Sequence, residues 1–467
     1  MKYLFLAKKR FGQKLKIIPL SLLITACTQN PTENILFSDY LIAEDIGEEI
    51  ISFENLIAQK KTAKSSENIS LIDAWQAAKA HAAIYQVAQY AQLAAQESQQ
   101  QAKAHLLPQL SINAHYTNRA QHHDESHQSY GINLQIAQPI YEPSRWRKYQ
   151  AEKITAQLGD TQLIQQKDAL LLEVVKSYFE VLISQEKLST IAKEKETYQA
   201  EIAQAEEKFK LGQATVLEIL DAKSHYDAAV SREISIQTEL ITAQNTLEDY
   251  TGVSINHLIP VDNLDLSILK EIITEEYLLK KALVNNATLK HKTLELKKAI
   301  ADKKITESEY HPKLSLTVGY QNDYNDTQFN NKKQNNSHKG SYIGLQFYLP
   351  IDSNNEIHSK VRQQNAYIQQ KEAEYRVEKG KITLEIKQHI ALLKGYQAQI
   401  EAQKQLYLTN LEKVKAAKLG NQYGMSHTLE IYQAEKDLSE SKTNLLKYNY
   451  QYLLTIIRLL QLSGNIN

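Results

Sequence analysis

One stretch of this sequence concentrates side chains that could bind a metal ion. It reads His122-His123-Asp124-Glu125-Ser126-His127, which combines imidazoles and carboxylates. Zinc proteases place two histidines one helical turn apart, as His-Glu-x-x-His, so that both face the metal. This stretch lacks that spacing and lies between two segments with strand-like alternation, so its ligands would share no fixed face. We interpret it as an ordinary polar loop and predict no metal site.

Other signatures of catalysis are missing from the sequence. There is no Gly-rich phosphate loop, no Gly-x-Ser-x-Gly motif, and a single cysteine, Cys27. We therefore predict that the chain is not an enzyme and has no catalytic residue and no cofactor. Its 54 basic and 54 acidic residues balance, so nothing attracts a nucleic-acid partner.

The first 26 residues have the layout of a secretory signal peptide. Basic residues precede an apolar run, Ile17 to Ala26, that is too short to cross a bilayer. Ile24-Thr25-Ala26-Cys27 resembles the bacterial lipobox, in which cleavage leaves a lipid-modified cysteine at the new N-terminus. A lone cysteine forms no internal disulfide, so we predict lipidation of Cys27, with ordinary cleavage as the alternative. Thr28 at the next position favours sorting to the outer membrane.

The rest of the chain contains an internal repeat. The segment from Leu107-Pro108 to Tyr116 returns as His311-Pro312 to Tyr320, with proline and tyrosine both 204 positions later. Gly212 and the Leu-Glu-Ile that follows it return at an offset of 212. A nearly constant offset indicates that one structural unit was duplicated. We predict a signal peptide at 1–26, a lipid-anchored linker at 27–69, a first repeat at 70–252, an inter-repeat linker at 253–275 and a second repeat at 276–464.

Most of each repeat is predicted to form long helices. The 467 residues include only 14 glycines and 8 prolines, and good helix formers dominate. Residues 145–210 contain no proline, which allows a helix of about 65 residues and about 100 Å. Such lengths are typical of coiled-coil packing. Two apolar stripes at helical spacing are Leu170, Leu171, Val174, Val175, Tyr178, Phe179 and Leu182, and then Leu217, Leu220, Tyr226, Val230, Ile234, Leu240 and Leu247.

Four short segments alternate apolar and polar residues with a period of two, which is the pattern of outer-membrane strands. They lie at about 109–118 and 130–138 in the first half and at 313–322 and 341–349 in the second. In each half a polar loop, at 122–128 or 323–339, connects the two strands. Four strands leave two open edges, which a bilayer does not tolerate, and known barrels have at least eight strands. The chain should therefore oligomerise: a dimer would give eight strands and a trimer twelve.

The order of these elements resembles the TolC-type outer membrane factors. Helix, Leu-Pro-x-Leu strand, hairpin, Gln-Pro-Ile strand end, long helix, Gly turn and returning helix occur twice over about residues 70–464. The resemblance implies a mainly α fold with a membrane β-barrel: a homotrimer with twelve strands in outer-membrane lipid and an α-helical tunnel across the periplasm. It implies a channel for efflux or type I secretion that docks onto a periplasmic adaptor protein and an inner-membrane pump. The transitions between barrel and helices would lie at Pro108, Pro139, Pro312 and Pro350.

The resemblance further implies an aperture at the periplasmic tip, where glycine turns reverse the helices. These turn residues are Gly212 and Gly424. The family's aperture motif, Asp-x-x-Asp, falls on Glu430 and Gln433, so one acid is missing, and the first-half equivalents are Glu218 and Asp221. In a trimer each carboxylate would form a ring of three that favours cations. The alternative is that these are ordinary solvated helix residues.

Two questions stay open at the level of sequence. The family's latch tyrosine and arginine fall on Asn421 and Ser426, so that lock is not carried over, although Tyr423 or His427 could substitute. A periplasmic coiled-coil adaptor or scaffold lipoprotein without a pore would share the long helices. The strand segments argue against this alternative, because an adaptor has no use for lipid-facing apolar residues. The cargo could be drug, metal or polypeptide.

Overall fold

The computed structural model describes residues 68–121, 125–255, 257–260, 274–329, 332–352, 354–423, 425 and 428–464. The chain divides into two units, Met1–Glu49 and Ile50–Asn467, and every described residue belongs to the second. The predictions that fall outside the described residues concern the signal peptide at 1–26, Cys27 and the linker up to residue 67, and most of the inter-repeat linker, residues 256 and 261–273. They also concern the stretch from His122 to Asp124, Gly424, Ser426 and His427.

The two halves of the chain contain the same elements in the same order. The first half has β1 (Asn68–Ile69), α1 (Leu71–His81), α2 (Ala83–Ala104), β2 (Gln109–Gln121), β3 (Glu125–Tyr141), α3 (Pro143–Lys210) and α4 (Val216–Thr251). The second has β4 (His257–Leu258), α5 (Glu275–Asn285), α6 (Ala287–Glu307), a 3-10 turn (Ser308–Tyr310), β5 (Lys313–Phe329), β6 (Lys332–Tyr348), α7 (Glu356–Gln422) and α8 (Thr428–Ser463). The helices α4 and α8 both have 36 residues and begin 212 positions apart. The internal repeat is therefore confirmed.

The predicted long helix is confirmed as α3, which has 68 residues and is about 100 Å long. Pro143 occupies its first turn, where a missing N–H breaks no helical hydrogen bond. Its second-half counterpart, α7, has 67 residues. No described helix combines the length and the apolar character needed to cross a membrane.

The helix α3 packs against both halves of the chain. Near the sheet it packs against α2 and α6, and towards its other end against α4 and α8. Lys195 Nζ lies 2.6 Å from Glu233 Oε2 on α4. The Thr197 hydroxyl donates to Glu435 Oε2 on α8 at 3.0 Å. Because α8 also packs along α7, the four long helices form one continuous layer in the order α4, α3, α8, α7.

The main hydrophobic core lies where α1, α3, α4, α5 and α8 meet. Tyr178 is fully buried there, and its hydroxyl donates to the carbonyls of Ile69 at 3.0 Å and Ile259 at 2.7 Å. It thereby ties the parallel β1–β4 pair, which joins the two halves, to α3. The apolar stripe predicted on α3 supplies much of this core: Leu170, Leu171, Val174, Val175, Tyr178 and Phe179 are buried, and Leu182 packs against them.

The apolar stripe on α4 is only partly buried within the chain. Leu247 is fully buried, but Leu217, Leu220 and Ile234 are 65%, 57% and 59% exposed. The physical reason is that α3 covers only one side of α4. The apolar residues on its other side are largely exposed in the described chain.

The four long strands form one antiparallel sheet in the order β2-β3-β5-β6, and the β3–β5 pair joins the two halves. The strands extend further than predicted, because residues 125–128, 323–329 and 332–339 belong to strands rather than loops. Ladder hydrogen bonds join backbone groups, so strand pairing continues along segments whose side chains are polar. Within the described chain, the outer edges of β2 and β6 have no partner strand.

Candidate functional site

One face of the four-stranded sheet is mainly apolar in its middle. The pairing registers place Leu110, Ile136, Val318 and Ile343 in one row across all four strands, and all four are exposed. The opposite face carries small and polar residues, as in the row formed by Ser111, Gln135, Gly319 and Tyr342. A sheet with one apolar and one polar face suits lipid on one side and water on the other.

The apolar face has the height of a membrane. On β5 it runs from Leu314 to Tyr324, with Asn322 as the polar residue on this face of the strand, a distance of about 33 Å along the strand. A strand tilt of about 40° reduces this to about 25 Å in projection. At the far end Tyr116 pairs with Tyr130 and Tyr130 with Tyr324, whose rings stack at 5.2 Å. This height and this aromatic row are typical of the lipid-facing band of an outer-membrane barrel.

The four prolines predicted between sheet and helices lie at the ends of the strands. Pro108 and Pro312 precede β2 and β5, and Pro350 follows β6. Pro139 lies within β3, at a register shift in its pairing with β5 and beyond its last pairing with β2. Proline has no N–H, and it is tolerated at this position because β2 no longer pairs with β3 there and offers no carbonyl that would need a donor.

The residues predicted at the aperture lie in the first two turns of α4 and α8, at the ends of these helices that follow the long α3 and α7. Glu218 and Glu430 are in the first turns, and Asp221 and Gln433 follow one turn later at equivalent positions. All four are exposed. Gly212, with a left-handed φ of 72°, reverses the chain between α3 and α4. We call Glu218, Asp221 and Glu430 the tip acids.

Glu218 has a second role that the sequence analysis missed. The Thr215 N–H donates to Glu218 Oε1 at 3.1 Å, and the Thr215 hydroxyl donates to the same oxygen at 3.3 Å. Glu218 therefore caps the N-terminus of its own helix. The sequence signal was present, because Thr-x-x-Glu is a capping box.

Tyr432, one turn into α8, is a second residue that the sequence analysis missed. It is 7% exposed, and its hydroxyl donates to the Thr197 carbonyl on α3 at 3.1 Å. Its ring centroid lies 5.3 Å from that of Tyr198. Burial raises the pKa of Tyr432, so the hydroxyl stays protonated and remains a donor. We call the contact of Tyr432 with Thr197 and Tyr198 the α3–α8 link.

Two of the positions considered for a latch, Asn421 and Tyr423, are described by the structure. Asn421 is half-buried near the end of α7, and Tyr423, which follows that helix, is 77% exposed. Of the two tyrosines near the α7–α8 turn, Tyr432 is buried and Tyr423 is exposed. No sequence signal distinguishes the two, because the burial of Tyr432 depends on α3, more than two hundred residues away.

The structure also bears on the stretch that could bind a metal. Glu125 to His127 begin β3 and are not part of a loop. Among the described residues, no group of three or more His, Cys, Asp or Glu side chains is placed to hold a metal ion.

Comparisons with known proteins agree with this geometry. The family model for outer membrane efflux proteins matches residues 75–253 and 278–465. Outer membrane protein TolC of Vibrio cholerae is 23% identical over 380 residues, covering 80% of this chain and 86% of that protein. The proteases secretion protein PrtF of Dickeya chrysanthemi is 23% identical over 425 residues, covering 86% of this chain and 90% of that protein.

A solved structure shows the same fold. The Campylobacter jejuni CmeC outer membrane channel superposes with a TM-score of 0.70 at 14% identity, covering 91% of this chain and 94% of that one. The two ranges matched by the family model fall on the two halves of the internal repeat and together span most of the sequence. The chain belongs to the outer membrane efflux protein family.

Proposed function

We propose that this chain is the outer-membrane channel of an efflux pump or type I secretion system and that it works as a homotrimer. The observation that carries the proposal is the sheet: it has one apolar face of membrane height, one polar face and two open edges. Two helices of about 100 Å continue from the same strands.

The open edges favour closure by further copies of the chain. A strand edge in lipid leaves N–H and C=O groups without hydrogen bonds, at several kcal/mol each. If β2 of one chain pairs with β6 of the next, no edge is left. Three chains then give twelve strands, enough for a barrel with a water-filled interior.

Exposed apolar residues on the helices support the same assembly. On α4, Leu220, Ile234 and Ile241 are exposed and lie at intervals of fourteen and seven residues. On α7, Val377 and Leu384 are exposed and seven residues apart. Apolar residues that recur at multiples of seven are typical of a coiled-coil seam. We infer that these seams pack against neighbouring copies, so that the helices close into a tunnel.

The proposed activity is the passage of cargo through the tunnel. It involves no catalysed reaction, and no residue has a catalytic role. In a trimer the tip acids would form three rings of three carboxylates at the narrow end, favouring cations. The partners would be a periplasmic adaptor and an inner-membrane pump. The Vibrio cholerae relative is named an outer membrane protein and the Dickeya relative a proteases secretion protein. These names support the outer membrane as the location and leave small molecules and polypeptides as alternative cargoes.

A lipid anchor at Cys27 is a separate part of the proposal. Its support is the order of a basic segment, an apolar run and the Ile-Thr-Ala-Cys sequence. Cys27→Ser should abolish acyl labelling and processing by the lipoprotein pathway, although the sheet could still insert into the membrane. Unchanged acyl incorporation in this variant would contradict the assignment.

Sedimentation and conductance test the channel itself. The mature protein, extracted in detergent, should sediment as a trimer and should produce ion-conducting steps in a planar bilayer. Chains that sediment only as monomers in detergent would overturn the proposal. A mature chain that is freely soluble without detergent and does not conduct would instead support the scaffold alternative.

A further inference from the structure

A cavity of about 330 Å³ lies in the helical region, where α3, α7, α8 and the α5–α6 junction meet. On α3 it is lined by Asp168, which is 25 residues from the start of that helix and so about 38 Å from the sheet. The cavity is far from the tip acids and from the lipid-facing sheet. The proposed channel function therefore gives it no role.

The charged residues that line the cavity are paired, with one exception. Arg458 Nη2 lies 2.8 Å from Glu385 Oε2, and Arg458 Nη1 donates to Gln461 at 2.8 Å. Lys381 Nζ lies 3.8 Å from Glu378 Oε1. These contacts leave neither cation in contact with Asp168.

Asp168 is the exception. It is 8% exposed, and its Oδ1 is buried without a hydrogen-bond partner among the described residues. A buried carboxylate without a donor is costly, so native proteins normally satisfy it. Burial raises the pKa of Asp168 to about 6, against the opposing effect of Lys167 and Arg458. The carboxyl is therefore mostly ionised near neutral pH, and its Oδ1 accepts no hydrogen bond from a cation among the described residues.

The lining defines what the missing partner would be. Three acids and two bases leave one net negative charge, and Ala169, Ala287, Ile382 and Leu462 supply apolar wall. The volume is far larger than one water molecule needs and lies in the range of small-molecule pockets. No cluster of metal-binding side chains exists among the described residues, which favours an organic cation. We propose that this cavity is a binding site for a small organic ammonium ion, whose N–H groups donate to Asp168 and whose carbon body lies against the apolar wall.

The internal repeat predicts the stoichiometry. The position equivalent to Asp168 in the second half, 212 residues later, is Gly380, which has no carboxylate. The site should therefore bind one ammonium ion per chain.

The test uses the full mature protein in detergent and isothermal titration calorimetry at pH 7.5. The probes are phenethylammonium, the neutral analogue 2-phenylethanol and the anionic analogue 3-phenylpropionate. Since charge-assisted hydrogen bonds are the strong ones, the ammonium probe should bind at least about tenfold more tightly than either analogue. Equal affinities for the three probes, or no binding of the ammonium, would overturn the proposal without any variant.

Two matched variants then locate the site. Asp168→Asn keeps the shape and removes the charge, so it should weaken phenethylammonium binding about tenfold or more. Asp160→Asn is the control, because Asp160 lies on the same helix outside the cavity and already accepts from Gln92 at 2.7 Å. Unchanged affinity in Asp168→Asn, or a crystal structure of the soaked protein with only water beside Asp168, would refute the assignment.

Acidification gives an independent readout. The titratable and charged groups around Asp168 are Lys167 on α3, Glu378, Lys381, Glu385 and His389 on α7, and Arg458 on α8. Burial lowers the pKa of His389, so it stays neutral at pH 7.5. Protonation of Asp168 should weaken binding about tenfold between pH 7.5 and pH 5. Affinity that does not change over this range would contradict a carboxylate site.

Discussion

If the α3–α8 link is made in the closed channel and broken in the open one, replacing Tyr432 by phenylalanine should shift the proposed channel towards its open state. The change removes the hydroxyl that donates to the Thr197 carbonyl at 3.1 Å and keeps the ring that packs on Tyr198 at 5.3 Å. A hydrogen bond of this kind contributes about 0.5–1.5 kcal/mol net. If three copies open together, the loss is about 3 kcal/mol, which is about a hundredfold in the equilibrium between closed and open channels.

The assay is single-channel recording in a planar bilayer, with the time spent in the high-conductance state as the measured quantity. Tyr178→Phe is the matched control. It also removes a buried tyrosine hydroxyl, which donates at 3.0 and 2.7 Å, but in the core rather than at the α3–α8 link. The control should lower the free energy of unfolding by about 1–3 kcal/mol without lengthening the open time.

One result would refute this reasoning. A folded trimer of Tyr432→Phe with the open time of the wild type would show that the α3–α8 link does not distinguish the two states. An equal increase of open time in both variants would show that general loosening, rather than this link, controls opening.

Three further predictions follow from the tip, the cavity and the repeat. Neutralising the tip acids together, as Glu218→Gln, Asp221→Asn and Glu430→Gln, should lower cation selectivity and weaken block by multivalent cations from the periplasmic side; wild-type selectivity would assign them to solvated helix surface. Asp168→Asn should raise the free energy of unfolding at pH 8 by on the order of 3 kcal/mol, because the carboxyl pKa rises from 3.8 to about 6 on folding. This gain should shrink as the pH falls through 6 and vanish below about pH 3.8, where both states are protonated; a gain that is independent of pH in chemical unfolding would contradict it. Leu220→Cys and Thr409→Cys together should cross-link neighbouring chains on oxidation, whereas a folded trimer without cross-links would reject packing of α4 against α7 of the neighbouring chain.

The sequence predicted the elements of this fold because their signals are local. The period of two in β2 to β6 and the proline-free run of α3 depend only on neighbouring residues. The strand ends were predicted less well. Once the apolar middle of the strands has fixed the register, backbone pairing continues through the polar residues towards the hairpin turns. Glu218 also carried a local signal, the capping box with Thr215, which was overlooked.

The remaining features depend on residues far apart in the chain. Asp168 lies beside the apolar stripe of α3, and helical spacing alone does not show that α7 and α8 enclose its carboxylate. Tyr432 and the exposed Tyr423 are both tyrosines near the same turn. The packing of α8 against α3 buries Tyr432, whereas Tyr423 stays in water. Tertiary packing determines that Asp168 and Tyr432 are buried, and local patterns in a single sequence do not show which distant segments pack together.

The duplication also indicates how neighbouring chains would meet. Within one chain, Tyr432 of α8 lies against Thr197 of α3. The positions 212 residues away are Leu220 on α4 and Thr409 on α7, and both are exposed, because α4 and α7 lie at opposite ends of the helical layer. In a closed ring, α4 of one chain would follow α7 of the next and repeat the α8–α3 contact. The apolar residues that a single chain leaves exposed on these two helices are then the ones that this second contact buries.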